Sequence, residues 1–530
     1  MMKVLKKTFL LLFLITLILS TSIFGETNNS NNYWPKENWQ TSTPEEQGMD
    51  SERIYRMLKY LKDTQKLHSL LIIRNGYLVT EAYFYPYHRD VKQVICSDTK
   101  SITSALIGIA LQKGLIKDIH QKALDFFPEY SFANLDQRKK AITIDNLLSM
   151  TSGLDWGRED WFDRAGDVLT HEMMLAKDTI QFTLDRPMVA EPGTAFRYNT
   201  GIPQLLSAII QKTSGAKNTA EFAKEYLFKP LGITDIDWPT DAKGITLGGF
   251  NLSMTPSDMA KFGYLYLRHG VWDGTQVVPA KWVETSTQTH ISSKPPTNPN
   301  DTRYYGYQWW INSFGYFASG WGGQCIFVIP NLDMVVVYTA GGFNLSEMIE
   351  MVIIPAVKSD TPLPPNPKTA KAIKKLLREI ETPKNKPVPP LPETVARISG
   401  KIITCEPNSF WKTVSLRFNQ KKDCYLKITW NNDQTIEYPV GLNGLYLMTT
   451  AEEFSSSVLL GSNFPAQKEI GTACLKGSWI SANKFIINWQ VLRHPERYDL
   501  SFDIDQNEVS VEISGSVMGH YETIKGKLQE

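Results

Sequence analysis

At 530 residues the chain is too long for one ordinary hydrophobic core, and two or three domains are expected. Its 42% hydrophobic and 21% charged residues are those of a soluble globular protein. A net charge of +1 gives no electrostatic case for nucleic acid or an anionic membrane surface, so small neutral substrates fit better than polyanions.

Residues 1–25 carry Lys3, Lys6 and Lys7, an apolar run from Phe9 to Leu19, then Ser20, Ser22 and Gly25. This is the pattern of a secretory signal peptide. The run is shorter than the ~20 residues a membrane span prefers, so cleavage is expected, with membrane contact only if the segment stays uncleaved. Residues 26–44 follow as a polar leader, and an exported product, periplasmic or secreted, is the expectation. Ser69 to Tyr83 predicts two strands joined by the turn Asn75-Gly76.

The stretch from Cys96 to Leu111 has Ile102, Leu106, Ile109 and Ala110 at helical spacing, closed by Gly114. Ser97 and Lys100, at i and i+3, then share one face of the first turn. A serine hydroxyl needs a base, and lysine serves only when burial lowers its pKa from ~10.4. The apolar flanks supply that burial, and the helix N-terminus favours an oxyanion near Ser97. Taken alone, the pair also fits a capping serine beside a solvated lysine.

Helices are expected over Leu205–Lys212, from Glu221 toward Phe228, and over Pro256–Arg268. A second hairpin joins Cys325–Ile329 to Met334–Tyr338. Strands at both ends with helices between them predict an α+β fold, in which an antiparallel sheet is flanked by helices and carries a helical subdomain. Residues 356–394 are rich in proline and lysine and read as a linker around a charged helical piece. Residues 395–530 alternate over Val414–Phe418, Tyr425–Trp430, Thr435–Val440, Phe485–Leu492, Tyr498–Ile504 and Val509–Ser514, which predicts an all-β sandwich or barrel.

Five cysteines are widely spread with no Cys-x-x-Cys pair, so no structural zinc is expected; the three toward the C-terminus leave open one disulfide and one free thiol. None of the eight histidines accompanies a Gly-x-Ser-x-Gly or His-Glu-x-x-His motif. That argues against an α/β-hydrolase triad and against a metal hydrolase, and no cofactor or metal is called for.

The run Ser97-Asp98-Thr99-Lys100-Ser101-Ile102-Thr103-Ser104-Ala105-Leu106-Ile107-Gly108 resembles the active-site helix of the serine beta-lactamase and penicillin-binding-protein superfamily. It looks most like the class C beta-lactamase-related esterases, D-aminopeptidases and 6-aminohexanoate-oligomer hydrolases. The resemblance covers residues 45–355 and implies a beta-lactamase/DD-peptidase-like fold, with Ser97 as nucleophile and Lys100 as base. Pro192-Gly193-Thr194-Ala195-Phe196-Arg197-Tyr198 resembles the family's tyrosine loop, which implies Tyr198 as a second acid/base. Thr200 stands where the lactamases have asparagine, and Asn199 falls one place early; the Thr200 hydroxyl is expected to bond the lysine.

Phe317 to Gln324 resembles the Lys-Thr-Gly strand, with Trp321 in the lysine's place. Gly322 and Gly323 are expected beside the acyl group, with the backbone N–H groups of Gln324 and Ser97 forming the oxyanion hole. Without the lysine, binding of a beta-lactam carboxylate is weakened. Further matches around Leu147–Leu154, Leu252–Gly263 and Tyr305–Trp310 read as scaffold or pocket wall, with Asp258 a helix-terminal charge and Trp156, Tyr307 and Trp309 mainly core. For the C-terminal part the resemblance implies a lipocalin-like barrel. The expectation is an exported serine hydrolase acting on a small ester, amide or peptide. The alternatives are a catalytically weak penicillin-binding-like protein that holds peptidoglycan or a small ligand, and a true beta-lactamase.

Overall fold

Asn75 and Gly76 take φ values of 51° and 81°. Two successive positive φ values make the tight turn whose twist matches a hairpin, and it joins β1 (Leu67–Arg74) to β2 (Tyr77–Tyr83). The computed structural model describes residues 34–529 apart from 36–37, 158–163, 294–303, 420–422 and 456–467. The expected signal peptide lies outside the described residues, as does most of the leader.

The sheet is completed by β3 (Ile291–Ser292), β4 (Tyr304–Tyr305), β5 (Trp310–Ile311), β6 (Tyr316–Gly320), β7 (Gln324–Ile329) and β8 (Met334–Ala340). Its order is β2-β1-β8-β7-β6-β5-β4-β3, antiparallel throughout, so the early hairpin and the late one pair through β1 and β8 as expected. Every residue of β1, β7 and β8 is buried because helices cover both faces.

On one face pack α1 (Ser51–Thr64), capped by Asp50, and a later helix, Pro367–Glu381. Their Leu58, Leu61, Leu376 and Ile380 meet Ile72, Phe327 and Val336. The charged helical piece of the expected linker is therefore docked on the sheet layer. The other face carries α2 (Thr99–Gln112) and α4 (Pro256–Leu267), and α3 (Gly201–Ser214) packs against α2. Gly263 of α4 lets that helix lie close on the sheet, since a Cβ there would fall 2.8 Å from Ile326 and Val335. Thr255 caps α4, and Asp258 pairs with Lys261 at 3.2 Å, a structural role as expected.

Residues 402–528 form a second sheet of β9 (Ile402–Cys405), β10 (Trp411–Asn419), β11 (Asp423–Trp430), β12 (Thr435–Gly441), β13 (Leu447–Ser455), β14 (Lys468–Trp479), β15 (Lys484–Val491), β16 (Arg497–Asp505), β17 (Glu508–Gly515) and β18 (Gly519–Leu528). Nine of these run β12-β11-β10-β9-β18-β17-β16-β15-β14, and the pair Gly441–Lys476 closes β14 onto β12, with β13 added alongside β14. Of the two expected forms the structure is the barrel. Its interior is filled by Trp411, Trp430, Tyr438, Phe485, Trp489 and Phe502. All five cysteines are free thiols.

The barrel is seated on the sheet domain through Tyr87, Val91, Tyr446, Cys474 and Leu492. In this seam His68 is buried and His494 half-buried; His68 stacks on Tyr87 at 3.9 Å and meets Gln93 Oε1 through Nδ1 at 3.3 Å. Burial pushes His68 down to about 3 and His494 to about 4, with Arg497 adding to the effect on His68. Between pH ~6.5 and 4 the unfolded histidines take up protons that the folded ones refuse, so stability is complete above ~6.5 and falls as pH drops. A thermal melt series should show Tm declining across that window in the wild type and declining less in His68→Gln.

Candidate active site

Ser97 lies in a short turn, Cys96–Asp98, that runs into α2. Cys96 precedes it with φ of 50°, an uncommon conformation for a non-glycine residue, and this turns the Ser97 side chain out of the buried helix to a half-exposed position. Such first-turn positions leave backbone N–H groups without intrahelical acceptors. Lys100, one turn on, is 1% exposed.

Lys100 Nζ donates to Ser97 Oγ at 3.0 Å and to the Gly249 carbonyl at 2.8 Å. Burial lowers its pKa to about 7, against the opposing pull of Cys96 and Asp98. At neutral pH much of the amine is therefore unprotonated, as a base for a serine hydroxyl must be. The expected bond from the Thr200 hydroxyl to the lysine is not made. Gly249, which has no side chain, fits against the Thr200 backbone and methyl, and its carbonyl takes the amine instead.

Tyr198 stacks on Trp310 with ring centroids 5.9 Å apart, and Lys100 Nζ lies 4.9 Å from the Tyr198 ring centroid. The tyrosine loop is thus brought to the serine and lysine. Phe196, Tyr305 and Trp310 extend the aromatic wall beside it. Asn199 is buried just before α3, its Oδ1 accepting from Gly201 N at 2.8 Å. Trp156, Tyr307 and Trp309 are buried in the core.

The end of β6 abuts the nucleophile turn. A Cβ on Gly320 would fall 2.3 Å from the Ile95 carbonyl and 3.1 Å from Cys96 Cβ, so only glycine admits this approach. Gly320 pairs with Gln324, which brings the start of β7 to the same turn. The Gln324 side chain is buried and donates to the Ala340 carbonyl at 2.8 Å, anchoring the strand. Gly322 and Gly323, with φ of 80° and 99°, make the bend between the strands. Trp321 is 36% exposed at the rim, its ring 6.3 Å from His494 of the barrel.

Three features were not anticipated from the sequence. Gly249 acts through a backbone carbonyl, which no residue pattern announces. Asp98 is fully buried with both carboxylate oxygens lacking a hydrogen-bond partner among the described residues, and burial raises its pKa well above the carboxylate range. Its place inside the Ser97–Lys100 run was the available signal. The barrel's approach to Trp321 depends on tertiary structure alone. Among the described residues no group of three or more His, Cys, Asp or Glu side chains is arranged to hold a metal, and no helix is long and apolar enough to cross a membrane.

A helix-covered antiparallel sheet, with a serine and a buried lysine at the head of the central helix, defines a hydrolase of the beta-lactamase fold. The Beta-lactamase family model matches residues 64–350, more than half of the 530, and the chain belongs to that family. The 6-aminohexanoate-dimer hydrolase of Paenarthrobacter ureafaciens is 25% identical over 287 residues, covering 51% of this chain and 71% of that protein. Among solved structures, the octameric penicillin-binding protein homologue from Pyrococcus abyssi is similar at 17% identity and TM-score 0.45, over 90% of this chain and 99% of that one. The structure of EstCE1, a hydrolase with promiscuous acyltransferase activity, is similar at 15% identity and TM-score 0.49, over 58% of this chain and 99% of that one.

Proposed function

We propose that the protein is an exported serine hydrolase that cleaves a carboxylic ester or linear amide through an acyl-enzyme on Ser97. The observation that carries this reading is the 3.0 Å bond between a half-exposed serine hydroxyl and a buried amine with a pKa of about 7. Ser97 Oγ attacks the carbonyl carbon while its proton passes to Lys100 Nζ. The oxyanion is held by backbone N–H groups of Ser97 and Gln324. As the C–O or C–N bond breaks, the leaving group takes the proton through Tyr198, and water then hydrolyses the ester of Ser97 by the reverse use of the same groups.

The substrate reading draws on the rim and on kinship. Trp321 offers an uncharged aromatic surface, which suits an apolar acyl chain better than the carboxylate of a beta-lactam. The relative from Paenarthrobacter ureafaciens is named a 6-aminohexanoate-dimer hydrolase. The test is to incubate the protein with a fluorophosphonate probe, para-nitrophenyl butyrate and nitrocefin. Covalent labelling and ester turnover with little nitrocefin cleavage are expected; a folded sample that is neither labelled nor active overturns the assignment.

Tyr198→Phe keeps the ring on Trp310 and removes only the hydroxyl. Its kcat on para-nitrophenyl butyrate should fall by ~10²–10³ with KM little changed. An unchanged kcat takes Tyr198 out of the proton path.

A further inference from the structure

The loop between β15 and β16 of the barrel, residues 492–496, reaches both walls of the candidate active site. On one side the Arg493 carbonyl accepts from Val94 N at 2.9 Å, three residues before Ser97. The Arg493 guanidinium pairs with Asp237 at 2.7 Å. Asp237 also pairs with Lys92 at 2.8 Å and exchanges backbone bonds with Ser253, which is itself the strand partner of Val94. One arginine thus ties the segment leading into the nucleophile turn to the strand beside it, by main chain and side chain at once.

On the other side, His494 faces Trp321, and Pro495 fills the space a side chain on Gly322 would need, its Cβ 2.7 Å from that position. Each side of the Val94 bond carries a backbone outlier, Arg493 itself and Cys96 two residues beyond Val94. Cys96 has φ of 50° and Arg493 has φ of 89°, a value that a bulky residue adopts only when its surroundings impose it. Strain of this kind clusters where geometry is being held for a purpose.

We propose that this barrel loop holds the nucleophile turn in its reactive conformation, with Arg493 as a positioning residue acting on Ser97 through Val94 and Asp237. The proposal rests on the serine-hydrolase reading for its catalytic consequence. The barrel is then a working part of the hydrolase site, and attack geometry at Ser97 depends on a residue some 400 positions downstream.

The test uses the full chain and the variants Arg493→Ala, Arg493→Lys and Asp237→Asn, with Arg417→Ala on the barrel's exposed surface as control. Arg493→Ala and Asp237→Asn should lower both kcat on para-nitrophenyl butyrate and the fluorophosphonate labelling rate by ~10–100-fold, with KM within about twofold, because a small misplacement of a reacting atom is costly in rate. Arg493→Lys, which keeps the ion pair, should recover most of the loss, and Arg417→Ala should match the wild type. Hydrogen exchange over residues 93–98 should quicken in Arg493→Ala while exchange within the barrel strands stays constant. Wild-type labelling and unchanged exchange in Arg493→Ala overturn the proposal. If the wild type itself is never labelled, the hydrolase reading fails, and the exchange measurement still decides whether the loop holds the turn.

Discussion

Ser97→Ala is expected to lose turnover of para-nitrophenyl butyrate by ~10⁴–10⁶ and to lose all covalent labelling while remaining folded. The hydroxyl is half-exposed and accepts from the Lys100 amine, so its removal opens no core cavity. The lysine keeps its bond to the Gly249 carbonyl. Loss of rate therefore comes from loss of the acyl acceptor, since neither the base nor the backbone donors can form a covalent intermediate by themselves. Intact mass after probe treatment gives the clearest measurement: one adduct on the wild type and none on Ser97→Ala. A variant that still turns over the ester at the wild-type rate would mean the reaction runs elsewhere.

How far the site could be read in advance follows from where its information lies. Ser97 and Lys100 are three residues apart in one helical turn, so spacing alone places them together, and the apolar helix that follows announces the burial that tunes the amine. The hairpin at Asn75-Gly76 was legible because its turn needs two positive φ values and those residue types tolerate them. Tyr198 lies a hundred residues away, and only the family resemblance, not periodicity, placed it near the lysine.

Other parts left little trace. Strands β3, β4 and β5 are two residues long, too short for any alternation. In β18 only Ile524, Gly526 and Leu528 are buried, so the strand reads as polar chain until its neighbours are known. The helix Pro367–Glu381 carries a visible apolar stripe, but its partner, α1, lies about three hundred residues earlier. The Gly249 carbonyl and the Arg493 loop act through backbone atoms and long-range docking, which no local pattern encodes.

Lys100→Met is expected to abolish activity to the same extent as Ser97→Ala and yet to raise the melting temperature. The wild-type amine is 1% exposed, and burial holds its pKa near 7. Its unfolded counterpart titrates at ~10.4, so keeping the amine unprotonated at pH 7 costs about 4 kcal/mol at 1.36 kcal/mol per unit. Methionine has nearly the same shape with no charge to desolvate. Against this gain stands the Gly249 carbonyl, which loses its donor at a cost of roughly 1–3 kcal/mol. The balance favours the variant by about 1–3 kcal/mol, the usual sign when a strained functional group is removed. Two pH profiles check the cause. Between pH ~7 and ~10.4 the unfolded state binds the proton that folded Lys100 has already lost, so wild-type stability rises with pH there; Lys100→Met should lack that rise. The wild-type rate should climb through a limb near pH 7 as the amine becomes a base. A stabilised, inactive variant together with that limb places the same deprotonated lysine behind both the rate and the stability cost, whereas a destabilised variant that keeps its activity would break the link between them.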